Sequence, residues 1–362
     1  MQQSASTIEH ANVPAHKIQL ASVPAFPPIA LRLLDLLGRE DVEIKDLIGL
    51  IGSDAATAAQ VLRMANSPLF GVQAQIDNLQ NAVVLLGLDR IQGLAVTIAT
   101  SSFLRALIKI QELRRCWRHM LACAVLTELY AQTFGIPDGR AYMAGLLHDV
   151  GRLGLLVSNP DGYAECLRLA DRNAIELVDY ESQVFGTNHC ELGLQLAVQW
   201  NLPEDFRIIA GRHHDPQQGL QVDLLTVVNW ACQTADIFGY FVVPPLQPKT
   251  LDEFIAGLAP SIQQRFPNDT ARMVKMLEDR IQPLESGMPV ESGAKSSLRK
   301  ETSLPAEDEP EPNGKLRDNE SPDRMLFASA APFRLRVEDF ALVGITGIIF
   351  SLVFLAFLYG SR

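Results

Sequence analysis

The sequence predicts an all-α head, a disordered acidic linker and one transmembrane helix, and three observations carry that reading. Apolar residues recur at three- and four-residue spacing in segment after segment of the first 240 residues, strand-like alternation is scarce, and one uncharged stretch near the end is as long as a bilayer is thick. With 362 residues, 48% of them hydrophobic, the chain can bury a substantial core.

Residues 1–19 read as a polar tail that includes His10 and His16, and no basic region followed by an apolar run marks a secretory signal there. A first helical set follows: Ile29 to Leu37 (IALRLLDLL), Ile44 to Ile51, Ala55 to Ala65, Leu79 to Leu88 and Ile91 to Leu107. Pro27-Pro28, Gly38, Ser67-Pro68 and Gly71 punctuate it. Asp54 is placed to cap the helix AATAAQVLRMA, because its carboxylate can accept the free amides of the first turn. A second set covers Trp117 to Phe134, Ala141 to Val157, Ala164 to Leu169, Ile175 to Phe185, Cys190 to Trp200, Glu204 to Arg212 and Leu224 to Phe238, with a helical extension over 241–282.

From 283 to 333 the composition shifts to Pro, Glu, Asp, Ser and Gly (LPAEDEPEPNGKLRDNESPD), which cannot bury enough apolar surface to fold alone and reads as a flexible acidic tether. Phe340 to Gly360 (FALVGITGIIFSLVFLAFLYG) carries no charge. As a helix it would span about 30 Å at about 1.5 Å per residue, so it reads as a single membrane span. Arg334 and Arg336 precede it, which weakly keeps the N-terminal side cytoplasmic.

The net charge of −11 argues against nucleic acid as a partner, since phosphate contacts supply most of such affinity. The one local basic cluster, Lys109, Arg114, Arg115 and Arg118, reads as a solvated helix face. Cys116, Cys123, Cys166, Cys190 and Cys232 are odd in number and contain no Cys-x-x-Cys pair, so they read as reduced, mostly buried thiols. The histidines say more. His119, His148, His189, His213 and His214, with Asp149 and Asp236, form a donor inventory suited to Fe, Mn, Zn or Ni if helices bring them together. Each also has an ordinary role open to it: a hydrogen-bonded helical histidine at His119 or His148, a dipole-favoured helix end at His213-His214, a partly exposed cap at Asp236.

Five blocks carry a resemblance: VPAFPPIALRLLDLL (Val23 to Leu37), SDAATAAQVLRMANSPLFG (Ser53 to Gly71), AVVLLGLDRIQGLAV (Ala82 to Val96), AGLLHDVGRLGLL (Ala144 to Leu156) and HCELGLQLAVQWNLPEDFRIIAGRHHDP (His189 to Pro216). Together they resemble the HDOD domain family, a branch of the HD-domain superfamily found in bacterial signalling proteins. The resemblance implies a two-lobed head over 20–240, with an N-terminal lobe at about 20–107 and an HD-like lobe at 108–240. It also implies a bacterial inner-membrane location for the anchor.

For the site, the resemblance implies that His119, His148, Asp149, His189, His213, His214 and Asp236 match in order the ligands of metal-dependent HD hydrolases. Asp149 would then bridge ions in catalysis. Three departures count against hydrolysis. Arg152 stands where a Lys often follows the His-Asp pair, Arg115 rather than Glu lies one turn before His119, and no Gly-Tyr-Pro follows His213-His214. A non-catalytic signalling module that binds a partner protein or small ligand is therefore expected ahead of a metal-dependent phosphohydrolase acting on a nucleotide or other phosphoester.

Overall fold

The computed structural model describes residues 17–36, 39, 42–67, 75–136, 140–215 and 221–286, and among them it contains helices and no strand. Of the tether expected over 283–333, residues 283–286 are instead the end of the last described helix; the rest of it and the span expected over 340–360 lie outside the described residues. Among the described residues, no helix is long and apolar enough to cross a membrane.

The first set of helices is α1 (Pro28–Asp35), α2 (Ile44–Gly52), α3 (Ala55–Ala65), α4 (Leu79–Leu86) and α5 (Leu88–Leu104). Its starts follow from capping chemistry. Pro28 opens α1, where a missing N–H costs nothing; Asp54 accepts the Ala56 and Thr57 amides of α3; and Asn78 accepts the Asn81 amide of α4. The interior face is aliphatic, with Leu33, Leu47, Ile51, Val61 and Ile91 fully buried around the central α5.

The second set is α6 (Gln111–Phe134), α7 (Ala141–Leu147), α8 (Val150–Ser158), α9 (Pro160–Asn173), α10 (Leu177–Phe185), α11 (His189–Gln199), α12 (Glu204–Arg212) and α13 (Leu224–Ile237). The single helix expected over 141–157 is in fact two, broken at His148-Asp149, whose own backbone makes the turn. α9 is longer than its apolar stripe suggests, because Asn159 caps it by accepting the Gly162 amide and Pro160 occupies its first position. α6 ends at Gly135, which adopts a left-handed φ of 70° and closes the final turn onto Ala131 and Gln132.

Two close approaches fix where that break falls. A Cβ on Gly145 would lie 2.5 Å from the Cys123 carbonyl oxygen of α6, and one on Gly151 would overlap the His189 carbonyl of α11. Glycine at both positions lets α7 and α8 press against these neighbours, pinning the intervening His148-Asp149 turn between them.

The two sets meet along α5 and α7, where the Tyr142 hydroxyl lies 3.1 Å from the Thr97 hydroxyl. The segment ahead of α1 also crosses from one set to the other. The Ile18 amide donates to the Phe185 carbonyl at 2.9 Å, and the Phe26 ring packs between Phe103 (5.1 Å) and Trp200 (4.6 Å). After α13 come α14 (Leu251–Ala256), α15 (Pro260–Gln263) and α16 (Thr270–Ser286), which continues past Pro283. α16 buries Met273, Leu277, Ile281 and Leu284, and its Arg280 and Glu285 pair with Glu128 and Arg118 of α6 at 2.5 and 3.0 Å.

Candidate metal centre

Five of the seven expected site residues converge. His119 from α6, His148 and Asp149 from the α7–α8 turn, His189 from the start of α11 and His213 from the end of α12 are all buried around the Asp149 carboxylate. Asp149 Oδ1 lies 3.2 Å from His213 Nε2 and 3.5 Å from His189 Nε2. Its Oδ2 lies 3.5 Å from His148 Nε2 and 3.8 Å from His119 Nε2.

The tautomers follow from what each Nδ1 touches. Nδ1 faces the Tyr240 carbonyl in His119 (2.7 Å), the Gly145 carbonyl in His148 (2.7 Å), the Ile209 carbonyl in His213 (3.1 Å) and the Glu181 carboxylate in His189 (2.6 Å). A carbonyl or carboxylate oxygen only accepts, so each Nδ1 carries a proton and each Nε2 is the ring nitrogen left facing inward. This is the outer-shell arrangement that fixes metal-binding histidines. It leaves the buried His148 Nε2, His213 Nε2 and Asp149 Oδ1 without hydrogen-bond partners. Polar atoms this deeply buried are ordinarily paired. These side chains are compatible with a metal ion.

Arg152, one turn after Asp149, is the cation already present. Its Nε donates to Asp149 Oδ2 at 2.6 Å, Nη1 donates to Glu181 Oε1 at 3.1 Å and to the Tyr163 hydroxyl at 3.3 Å, and Nη2 lies 3.2 Å from His189 Nε2. Glu181 is completed by the Tyr163 hydroxyl (2.8 Å) and by the backbone amide of His189 (2.9 Å). Burial alone would raise both carboxyls, but the Arg152 guanidinium holds Asp149 well below the usual range, and His189, through its hydrogen bonds, together with the Arg152 charge lowers Glu181. His189 is itself pushed down by burial and by the Arg152 charge.

The other two expected residues sit at the rim. His214 is exposed, with its Nε2 3.0 Å from His189 Nε2. Asp236, its side chain 32% exposed, approaches His119 from the Nδ1 side at 3.5 Å and so stands outside the ring of Nε2 atoms. One turn earlier on α13, Cys232 faces inward instead, with its Sγ 3.5 Å from His119 Nε2, as is that of Cys123 on α6. Hydrogen bonding from Cys123 and the neighbouring His119 pull the Cys232 thiol well below its ordinary range. Two clefts of about 400 and 430 Å³ reach this edge, with His214, Cys232 and Lys249 on the walls of both.

Sequence reasoning missed Glu181, Cys123 and Cys232. The available signals were the four-residue spacings His119/Cys123 and Cys232/Asp236, each of which puts two donors on one helix face.

The helix order, the buried His-Asp turn and the sequence agree on a family, because the HDOD domain profile matches residues 23–216, more than half of the chain. The chain belongs to the HDOD domain family. This HDOD chain is similar to an HDOD domain protein of unknown function from Geobacter sulfurreducens, with 26% identity, a TM-score of 0.58 and coverage of 74% of this chain and 92% of that one. It shares its fold with a candidate phosphohydrolase from Shewanella amazonensis SB2B, at 20% identity and a TM-score of 0.54, over 75% of this chain and 96% of that one. An uncharacterised protein of Treponema pallidum (strain Nichols) is 25% identical over 202 residues, which are 54% of this chain and only 38% of that curated relative.

Proposed function

We propose that this HDOD chain is a membrane-anchored regulatory module, and that its buried centre maintains a binding-competent head rather than catalysing hydrolysis. The carrying observation is Arg152. A bound ion would supply Lewis acidity and an activated water, and two-ion hydrolysis would need Asp149 to offer an oxygen to each ion. Here Asp149 Oδ2 is engaged by a guanidinium at 2.6 Å that cannot lose its proton, and that guanidinium is held from behind by Glu181. Displacing it would leave Glu181 buried without its counter-cation, at a cost of about 3–5 kcal/mol. His148, His213 and Asp149 Oδ1 then retain donors for a single ion, and the N/O set suits Fe, Mn, Zn or Ni.

The clefts beside His214, with Lys249 on both, favour a small ligand, and a partner protein is the other candidate. The apolar stretch Phe340 to Gly360 would hold the head on the cytoplasmic face of a bacterial inner membrane. Deleting 340–362 should move the protein from the membrane to the soluble fraction, and persistent membrane association would remove the anchor from this reading.

A metal-dependent phosphohydrolase is the second reading, favoured by the three unpartnered polar atoms and by the place of one of their residues, His213, on the wall of a cleft. The test is turnover of a phosphoester panel, including nucleotides, by the full chain loaded in turn with Mn, Fe, Zn and Ni, beside Asp149→Asn. The regulatory reading expects equal background rates. Turnover that Asp149→Asn abolishes would overturn it.

A further inference from the structure

A second donor set adjoins the Asp149 carboxylate, and it differs from the first in containing sulfur. His119 and Cys123 are one turn apart on α6, Cys232 comes from α13 and His148 from the α7–α8 turn. All four residues are buried, and their donor atoms lie within 4.8 Å of one another. Both imidazoles are held by Nδ1–H bonds to backbone carbonyls, which leaves Nε2 as the ring nitrogen each offers to the two cysteines. His148 Nε2 has no hydrogen-bond partner.

We infer that this chain carries a closed Cys2His2 zinc site made by His119, Cys123, His148 and Cys232. Metrics, charge and chemistry agree on it. A tetrahedral ion with Zn–S of about 2.3 Å and Zn–N of about 2.0–2.1 Å has S···N edges of about 3.6 Å. Cys123 Sγ and Cys232 Sγ are each 3.5 Å from His119 Nε2. Binding releases two protons from the four donors, and the two thiolates neutralise the dication inside the buried pocket. An ion at Asp149 would instead share its carboxylate with the Arg152 guanidinium, whose hydrogen bonds reach Asp149, Tyr163, Glu181 and His189 and none of these four donors. His148 Nε2 belongs to both sets and can serve only one. Two soft sulfurs with two imidazoles select zinc over iron or manganese, and four protein ligands leave no position for water, as in structural rather than catalytic sites. Such an ion would clamp α6, α13 and the His148-Asp149 turn together.

The test uses the full chain, purified under reducing conditions without chelator. Elemental analysis should find close to one zinc per chain, retained by His213→Ala and lost by Cys232→Ser. Exchange with Co²⁺ should give the intense near-ultraviolet thiolate-to-cobalt absorption and the visible bands of a tetrahedral ion. Cobalt binding to the wild-type chain without the thiolate absorption, no binding at all, or metal lost in His213→Ala but kept in Cys232→Ser would each overturn the inference. Should a variant fail to fold, the wild-type cobalt spectrum decides alone. None of these readouts involves turnover, so the zinc site and the regulatory reading fail separately.

Discussion

In the N-terminal helices α1–α5, the fully buried side chains at the centre are Leu33, Leu47, Ile51, Val61 and Ile91, and charged groups such as Asp54 act at helix ends near water. In α6–α13 the centre is occupied instead by Asp149, Arg152, Glu181 and four imidazoles, with the aliphatic packing pushed outward around them. Both interiors are dense, yet they tolerate error differently. An aliphatic core that is cut back loses the burial of the atoms removed and gains a cavity, whereas a buried charge network that loses one member also exposes the desolvation cost of the charges that remain.

The largest expected break in this comparison is Arg152→Ala. It strands Asp149 and Glu181 without their shared cation, and should lower stability by about 3–5 kcal/mol in urea unfolding monitored by circular dichroism. A smaller loss would mean that water or an ion replaces the guanidinium.

Acid should separate the two regions next. Asp149 and Glu181 titrate below their unfolded values, so between those values the unfolded chain binds more protons. Their stabilisation is complete above the ordinary carboxylate range of about 4 and is lost as pH falls through the depressed folded values. Hydrogen exchange at falling pH should therefore release α8, α10 and α11 before α3 and α5, and simultaneous release would remove the distinction.

Tyr163→Phe takes away one hydroxyl donor to the Glu181 carboxylate and leaves Arg152 in place, so about 1.5–3 kcal/mol should go. The smallest effect belongs to the N-terminal region. Asp54→Ala removes the cap of α3 together with the Thr57 hydroxyl contact, for about 0.5–2 kcal/mol, and should loosen amide protection in α3 without changing α8 or α11. A matching loss in α11 would show that the two regions unfold as one.

Most helices were legible because their apolar stripes and caps are local signals, as at Asp54, where the expected N-cap is the observed one. The break inside 141–157 was not. His148 and Asp149 interrupt no apolar period, and the turn follows from close approaches at Gly145 and Gly151 to partners on α6 and α11. At the site, the histidines were found by residue type alone, but direction was not readable. Asp236 and Cys232 share one face of α13, and only the three-dimensional packing shows that the sulfur, not the carboxylate, looks at the Nε2 atoms. Glu181 was hidden for a similar reason, since an acidic residue three positions before Val184-Phe185 is ordinarily a surface residue.

The segment of Ile18 and Phe26 also sets an order of events during synthesis. Helices α1–α5 leave the ribosome first, but the Ile18 amide needs the Phe185 carbonyl and the Phe26 ring needs Trp200, both made long afterwards. The N-terminal region can thus form its own helices early, yet its leading edge must stay undocked until α10 and α11 exist. A nascent chain halted before residue 185 should expose that edge to proteolysis, and release of the complete chain should close it.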